Sequence, residues 1–465
     1  MRATQKMRLG RGNVGAMRRE RTLTVSTTTR TATAAAAANT WGNAKSGRGA
    51  GSGGIGERAD ARATVALSAA AAVTTADMMT GVSESGALSG DSIRSSMDAV
   101  FDASARPPFS LGDVRRAIPA HLWEKDVTTS MLYFARDLLI IGLLGGAAHA
   151  LYAHGAMLPL AMKALCWPLY WFAQGTMFWA LFCIGHDAGH TSFSKHEWLN
   201  NLVGHLSHSP ILVPYHPWRI SHRAHHGSHG HAENDESWYP MKRHQVEEAS
   251  ALTMAGRLSL PWAMFAYPFY LMKRSPGKEG SHYDPKCDLY KSDRERRMVV
   301  ASNCWLAGWA AILAAAGATM GLGWLAAVYF VPYVTFVVWL DMVTYLHHHG
   351  PEEGDARVPW YRGEEWSYFR GGLSTIDRDY GIFNNIHHDI GTHVVHHLFP
   401  QIPHYNLTRA TDACKGVMGK YYREPKKARF GIPTHLFSCL AKSFANDKFV
   451  EDDGNVLFYK SMDEF

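Results

Sequence analysis

Residues 138–185 carry a single formal charge, Lys163, and residues 298–340 carry none. Written as single helices, these runs of 48 and 43 residues would each be roughly 65–70 Å long, more than twice the ~30 Å hydrocarbon core of a bilayer. Each run must therefore fold back on itself. Turn-forming residues stand where that reversal is needed: His154, Gly155 and Pro159 in the first run, and Gly317, Gly321 and Gly323 in the second. A buried hairpin in a soluble protein is the competing reading, and the length and purity of both runs weigh against it.

Two hairpins return the chain to the face it left, so the N-terminal segment, residues 186–297 and the tail after Asp341 are expected on one side. Basic residues agree. Arg115, Arg116, Lys125 and Arg136 precede the first hairpin, and Lys273, Arg274, Arg294, Arg296 and Arg297 precede the second, while the turns are almost bare. By the positive-inside rule that side is the cytosol, stroma or matrix. Residues 198–215 and 258–272 are apolar but short and interrupted by Pro210, Pro214, Pro261 and Pro268, which predicts interfacial pieces.

That common face carries the histidines. HDAGH supplies His186 and His190, HRAHH supplies His222, His225 and His226, and HVVHH supplies His393, His396 and His397. Spacings of three or four put imidazoles on one helical face, so each cluster can form one edge of a metal centre. Imidazole suits iron, copper, nickel and zinc alike. Eight such ligands exceed a tetrahedral zinc site and suit two metals that each keep a position open. Any single histidine is more often packed than ligating, and it is the repetition of the pattern that carries the argument. A ninth ligand is expected from His347-His348-His349 at the end of the second run, with His348 the choice. Asp187, Asp235, Glu236, Asp377, Asp379 and Asp389 are candidates to orient the imidazoles through their other ring nitrogen, and His387 and His388 to support the third cluster. His149 is expected to be a packed or hydrated helix residue and not a ligand. Clusters just beyond the apolar runs, rather than midway along them, argue against a transporter.

Residues 1–56 hold ten Lys or Arg and one acid, Glu20, among Ser, Thr, Ala and Gly. This composition predicts an organelle transit peptide, with the low-complexity leader extending over residues 1–76 and the functional domain over 77–465. The leader carries net charge +9 against +6 for the whole chain, so the basic character belongs to the leader and gives no reason to expect a nucleic-acid partner. The six cysteines form no CxxC pair, and a disulfide framework or thiolate zinc site is not expected.

The three clusters, their order and the strings around them (residues 211–240, ILVPYHPWRISHRAHHGSHGHAENDESWYP; 267–283, YPFYLMKRSPGKEGSHY; 375–405, TIDRDYGIFNNIHHDIGTHVVHHLFPQIPHY) resemble the membrane fatty acid desaturases of plants and algae, especially the plastid members of the omega-3 branch. The resemblance runs from about residue 108 to the mid-430s. It implies a mainly α integral membrane protein, with four transmembrane helices in two hairpins under a helical polar cap that holds a histidine-rich di-iron site. It also implies that the eight box histidines are iron ligands, that an acyl chain lies in a kinked tunnel, and that O2 is the co-substrate. The implied reaction turns linoleoyl-type dienoic chains of membrane glycerolipids into trienes. Ala188 departs from the family, where many relatives have Cys, and puts only local packing in question. The sequence contains no HPGG cytochrome b5-like module, so electrons are expected from a separate protein: ferredoxin in the stroma, with cytochrome b5 at the endoplasmic reticulum as the alternative. Arg294–Arg297 are expected as a positive flank or as a contact for an acidic donor. The rivals are an omega-6 desaturase acting on oleoyl chains, a di-iron alkyl or carotenoid hydroxylase, and a metal-binding protein without catalysis. Oligomeric state is not legible in the sequence.

Overall fold

Asp126 opens the first long helix: its carboxylate accepts the otherwise unpaired N–H groups of Thr128 and Thr129 at 3.0 and 3.3 Å. The computed structural model describes residues 103–350 and 357–465; the leader expected over residues 1–76 lies outside them. We number the helices that matter for the site α1 (Leu111–Ala117), α2 (Val127–His154), α3 (Leu160–Gly189), α4 (Glu197–His208), α5 (Tyr215–Ser228), α6 (Asp293–Met320), α7 (Val331–His348), α8 (His393–Leu398), α9 (His404–Met418) and α10 (Thr434–Asn446).

The two reversals fall where turn chemistry predicts. A short 3-10 turn, Gly155–Met157, and Pro159 as N-cap separate α2 from α3. In the second run α6 stops at Met320 because Gly321 adopts φ 91°, a conformation open to glycine. The chain then re-enters helix at Leu322 and widens into a π-turn over Ala326–Phe330 before α7. Two carbonyls of this turn are met from α3: Tyr170 donates to Val328 O at 2.7 Å and Trp171 Nε1 to Ala327 O at 2.8 Å. Three helical segments among the described residues are long and apolar enough to cross a membrane: Val127–Met157, Asp293–Met320 and Leu322–His348. α3 is equally long, with 30 residues, but Trp, Tyr, Gln174 and Thr176 dilute its aliphatic content, and its C-terminal half is buried throughout. That half faces protein, while the N-terminal half exposes Leu160, Leu165 and Leu169.

α3 and α7 run side by side toward the histidine clusters. Phe178, Trp179 and Phe182 of α3 meet Phe336, Trp339, Leu340 and Val343 of α7 in the largest apolar core, which also takes in Trp218. The helices can approach this closely because residue 175 is glycine: a Cβ there would lie 2.4 Å from Thr335 Cβ and 2.7 Å from Pro332 O. Gly175→Ala is expected to push α7 outward and to cost about 1–3 kcal/mol of stability. Thermal unfolding of the detergent-solubilised protein checks this; an unchanged midpoint would mean that the contact relaxes freely.

The remaining elements cover the ends of these helices. α4 carries an outward apolar stripe of Trp198, Leu202 and Leu206, and residues 252–272 expose Leu252, Trp262, Phe265, Phe269 and Met272, the surfaces expected of interfacial segments. His149 packs edge-on against Trp324. All six cysteines are free thiols. A feature not anticipated from sequence is a two-stranded antiparallel sheet, β1 (Pro359–Tyr361) with β2 (Val456–Phe458), in which Trp360 pairs with Leu457. β1 also grips the chain just after α5: Tyr361 N donates to Gly230 O at 2.8 Å, and Ala232 N donates to Tyr361 O at 3.0 Å.

Candidate metal centre

His186 sits in the last turn of α3, and His190 is its C-cap. His222, His225 and His226 lie on α5, His348 ends α7, and His393, His396 and His397 lie on α8. All nine histidines singled out in the sequence converge, in one group of five and two groups of three that share His397. Ligand atoms of His186, His190, His222, His226 and His396 lie within 4.8 Å of one another. Beside them, His225 and His397 form one such group with His229, and His348, His393 and His397 form another. The two assemblies meet where His226 and His397 stack at 4.0 Å.

Helix geometry explains the partition. Residues four apart share a face, while consecutive residues point about 100° apart. His222 and His226 therefore stay together, as do His393 and His397, whereas the neighbours His225 and His226, and likewise His396 and His397, are sent to different groups. α8 is positioned by Asp377, whose Oδ1 accepts His393 N at 2.6 Å and Val394 N at 2.8 Å.

Two of the candidate acids, Asp235 and Asp187, reach imidazoles. Asp235 accepts His225 Nδ1 at 2.7 Å and His229 Nδ1 at 3.1 Å, and its Oδ1 also takes the N–H groups of Ser237 and Trp238. Burial opposes ionisation of Asp235, but the field of His225 and the hydrogen bonds from both imidazoles outweigh it and hold the carboxyl well below its usual range. Asp187 accepts His404 Nδ1 at 2.9 Å and stands 3.6 Å from His186 Nδ1, longer than a hydrogen bond. From His404 a buried row continues through His388 (3.2 Å) to Asp137 (2.6 Å), tying α2 to the centre.

Several expected supports fall elsewhere. Asp377 caps a helix instead of holding a ring. Glu236 pairs with both nitrogen arms of Arg274 at 2.7 and 2.8 Å, and Asp379 and Asp389 make no hydrogen bond to an imidazole among the described residues. His388 serves Asp137 and His404, and His387 lies among Trp179, Trp339, Tyr380 and Phe383; neither touches a box histidine. The ring that packs on the third box is His347, stacked on His393 at 4.2 Å and held by Ile376 O and the Tyr380 hydroxyl. Ala188 is buried with Ile184, Phe193 and Tyr215, so it is a packing position.

The donor set fits metal ions. Nε2 of His190 and of His396 is buried without a hydrogen-bond partner among the described residues, a costly state for a polar atom unless it binds something. Burial, reinforced by neighbouring imidazoles, holds His190, His222, His226, His393, His396 and His397 well below the usual imidazole range. These rings are neutral and ready to ligate at neutral pH. The same shift fixes a sign. Unfolded histidines take protons below about pH 6.5 while the folded rings do not, so stability of the metal-free chain is retained above that pH and lost as pH falls beneath it. Melting of the metal-free protein between pH 8 and pH 5 should show a midpoint that declines below about pH 6.5; a flat profile would contradict it.

Comparison with known proteins gives this geometry a family. The profile described as "Fatty acid desaturase" matches residues 164–426, more than half of the chain, and one described as "Domain of unknown function (DUF3474)" matches residues 14–148. An "Omega-3 fatty acid desaturase, chloroplastic" from Glycine max is 55% identical, covering 78% of this chain and 77% of the relative. A "Temperature-sensitive sn-2 acyl-lipid omega-3 desaturase (ferredoxin), chloroplastic" from Arabidopsis thaliana is also 55% identical over 78% and 80%. The Arabidopsis "Acyl-lipid omega-3 desaturase (cytochrome b5), endoplasmic reticulum" is 53% identical over 78% and 90%. All three histidine boxes fall inside residues 164–426, and with relatives 55% identical over most of both chains, the chain belongs to the fatty acid desaturase family.

Proposed function

We propose that this chain is an acyl-lipid omega-3 desaturase of the plastid membrane. The observation that carries the reading is the pair of buried imidazole groups sharing one wall, where His226 stacks on His397. In this reading His186, His190, His222, His226 and His396 hold one iron ion, and His225, His348, His393 and His397 hold its neighbour. Two irons so bound supply the reductive activation of O2. Two C–H bonds of adjacent methylenes break and one C=C forms, and the two hydrogens so removed, with two electrons and two protons from outside, reduce O2 to two waters. The protein's own part is to keep the ligands neutral, to fix ring orientation through Asp235 and to exclude water with the Trp179, Phe182 and Trp218 core.

α2, α3, α6 and the segment ending in α7 act as four spans in two hairpins, with the histidine face toward the stroma. The Trp198 and Trp262 stripes rest at the bilayer surface, residues 1–76 serve as transit peptide and leader, and residues 77–465 form the desaturase domain. The names of the chloroplastic relatives favour ferredoxin as electron donor. The endoplasmic reticulum relative, named for cytochrome b5, makes that protein the donor to test against it.

The test is a fatty-acid profile by gas chromatography and mass spectrometry. The mature chain is expressed in a ferredoxin-containing host supplied with linoleate. Trienoic acid with a new omega-3 double bond is the expected product. Extra linoleate formed from endogenous oleate would move the assignment to omega-6, and a product heavier by one oxygen atom would make the protein a hydroxylase.

A further inference from the structure

His229 lies outside the three boxes, yet it stands four residues beyond His225, the interval that keeps His186 with His190, His222 with His226, and His393 with His397. It is the C-cap of α5, buried to 3% exposure. Its ring centroid lies 4.6 Å from His348, 4.7 Å from His397 and 5.1 Å from His225. We infer that His229 is a ligand of the second metal, which completes two sets of five imidazoles: His186, His190, His222, His226 and His396 on one side, and His225, His229, His348, His393 and His397 on the other. This rests on the two-metal reading of the site.

The hydrogen bonds leave one atom of the ring for that purpose. Nδ1 donates to Asp235 Oδ2 at 3.1 Å, while His225 Nδ1 donates to the other oxygen of the same carboxylate. One carboxylate thereby sets the tautomer of both rings and leaves Nε2 of each unprotonated. The one hydrogen-bonding partner of His229 Nε2 among the described residues is Ser374 Oγ at 3.3 Å. That hydroxyl has one proton, and it is directed to Gly371 O at 2.7 Å. The Nε2 lone pair thus remains available, in the same 4.8 Å group as the ligand atoms of His225 and His397.

The backbone is held as a ligand-bearing segment needs to be. Trp366 Nε1 donates to His229 O at 3.0 Å, and Gly230 is clasped by β1 through Tyr361 N. Gly230 has φ 71°, and a Cβ on Gly371 would lie 2.0 Å from His229 O. A side chain at Gly371 would therefore force His229 out of place, which ties that glycine to the ring it backs.

The test is metal binding by the purified full-length chain, loaded anaerobically with ferrous iron and read by elemental analysis and Mössbauer spectroscopy. His229→Phe keeps a ring in the space but removes both nitrogens. It is expected to melt like the parent when metal-free, to bind the first iron normally, and to bind the second at least about a hundredfold more weakly, beyond the ~10–100-fold cost of losing a group that only orients a ligand. His229→Gly with 15N-imidazole is expected to regain the second iron and to show 15N hyperfine coupling in the half-oxidised, EPR-active form. Two tightly bound irons with unchanged Mössbauer parameters in His229→Phe would overturn the assignment, as would metal recovery by imidazole without 15N coupling. If the phenylalanine variant does not fold, the imidazole experiment decides. His396→Ala keeps the two readings apart: both irons retained tightly there would sink the ligand assignment on which this inference rests, while loss there with full retention in His229→Phe would sink only the tenth ligand.

Discussion

Cells expressing His396→Ala and fed linoleate should make no omega-3 trienoic acid beyond background, although the protein accumulates in the membrane at parental level. His396 comes from α8 but faces the group built on α3 and α5. Its ring centre lies 4.6 Å from His186, 4.8 Å from His226 and 4.9 Å from His190, so in the proposed reading it is the third box's contribution to the first metal. Removing it leaves four imidazoles from two helices and opens a cavity between the helices and α8. Losing a group that merely orients a ligand costs ~10–100-fold in metal affinity or activity, so losing a buried ligand should cost at least about a hundredfold on the same scale. His205→Ala is the matched control. It also removes a buried imidazole, one packed against His216 and Trp305 and outside either group, and it should retain activity. Equal loss in both variants would mean that general packing, and not ligation, accounts for the His396 result.

Much of this organisation is legible along the chain because it depends on short-range geometry. Charge-free runs of known length force reversals, and Gly155 with Pro159 and Gly321 mark them. The spacing of the box histidines sends each to its place because α3, α5 and α8 are regular where the boxes lie. His229 followed the same interval from His225 and was readable on that ground, but it stands at the end of α5, where the interval alone does not say whether the helical direction persists. Its position is settled by β1, more than a hundred residues later, and by the glycine at 371. The acids were harder for a different reason. A carboxylate near a box can accept from an imidazole, from a helix N-terminus or from an arginine. Asp235, Asp377 and Glu236 do one of each, and only tertiary contacts separate them. The burial of the C-terminal half of α3 was equally hidden, since apolar content records how much a helix avoids water and not what replaces it.

Arg378→Met should produce the largest loss of stability of any substitution outside the imidazole groups, and it should loosen the second metal as a consequence. Arg378 is 2% exposed. Its guanidinium reaches the end of α7, donating from Nε to Leu346 O at 2.9 Å and from Nη2 to His349 O and Gly350 O at 3.0 and 3.1 Å. Those carbonyls belong to the last turn of α7 and the residues just beyond, where no intrahelical donor remains and the helix dipole is negative. A buried cation is expensive, and here it is matched to a cluster of partial negative charges in a fork geometry that lysine cannot reproduce. Methionine fills similar space but donates nothing, leaving three buried carbonyls without this donor at roughly 1–3 kcal/mol each, at least about 3 kcal/mol in all. The affected turn carries His347, which stacks on His393, and His348, whose Nε2 lies 3.3 Å from His393 Nε2. Melting of the purified variant should fall accordingly. Iron retention on dialysis should drop from two ions per chain toward one, because the first group draws no ligand from α7. Arg378→Lys should recover part of the stability, since an ammonium can reach one or two of the carbonyls. A methionine variant that melts like the parent would show that water replaces the guanidinium at this helix end, and a variant that loses both irons together would show that the two imidazole groups fail as one unit.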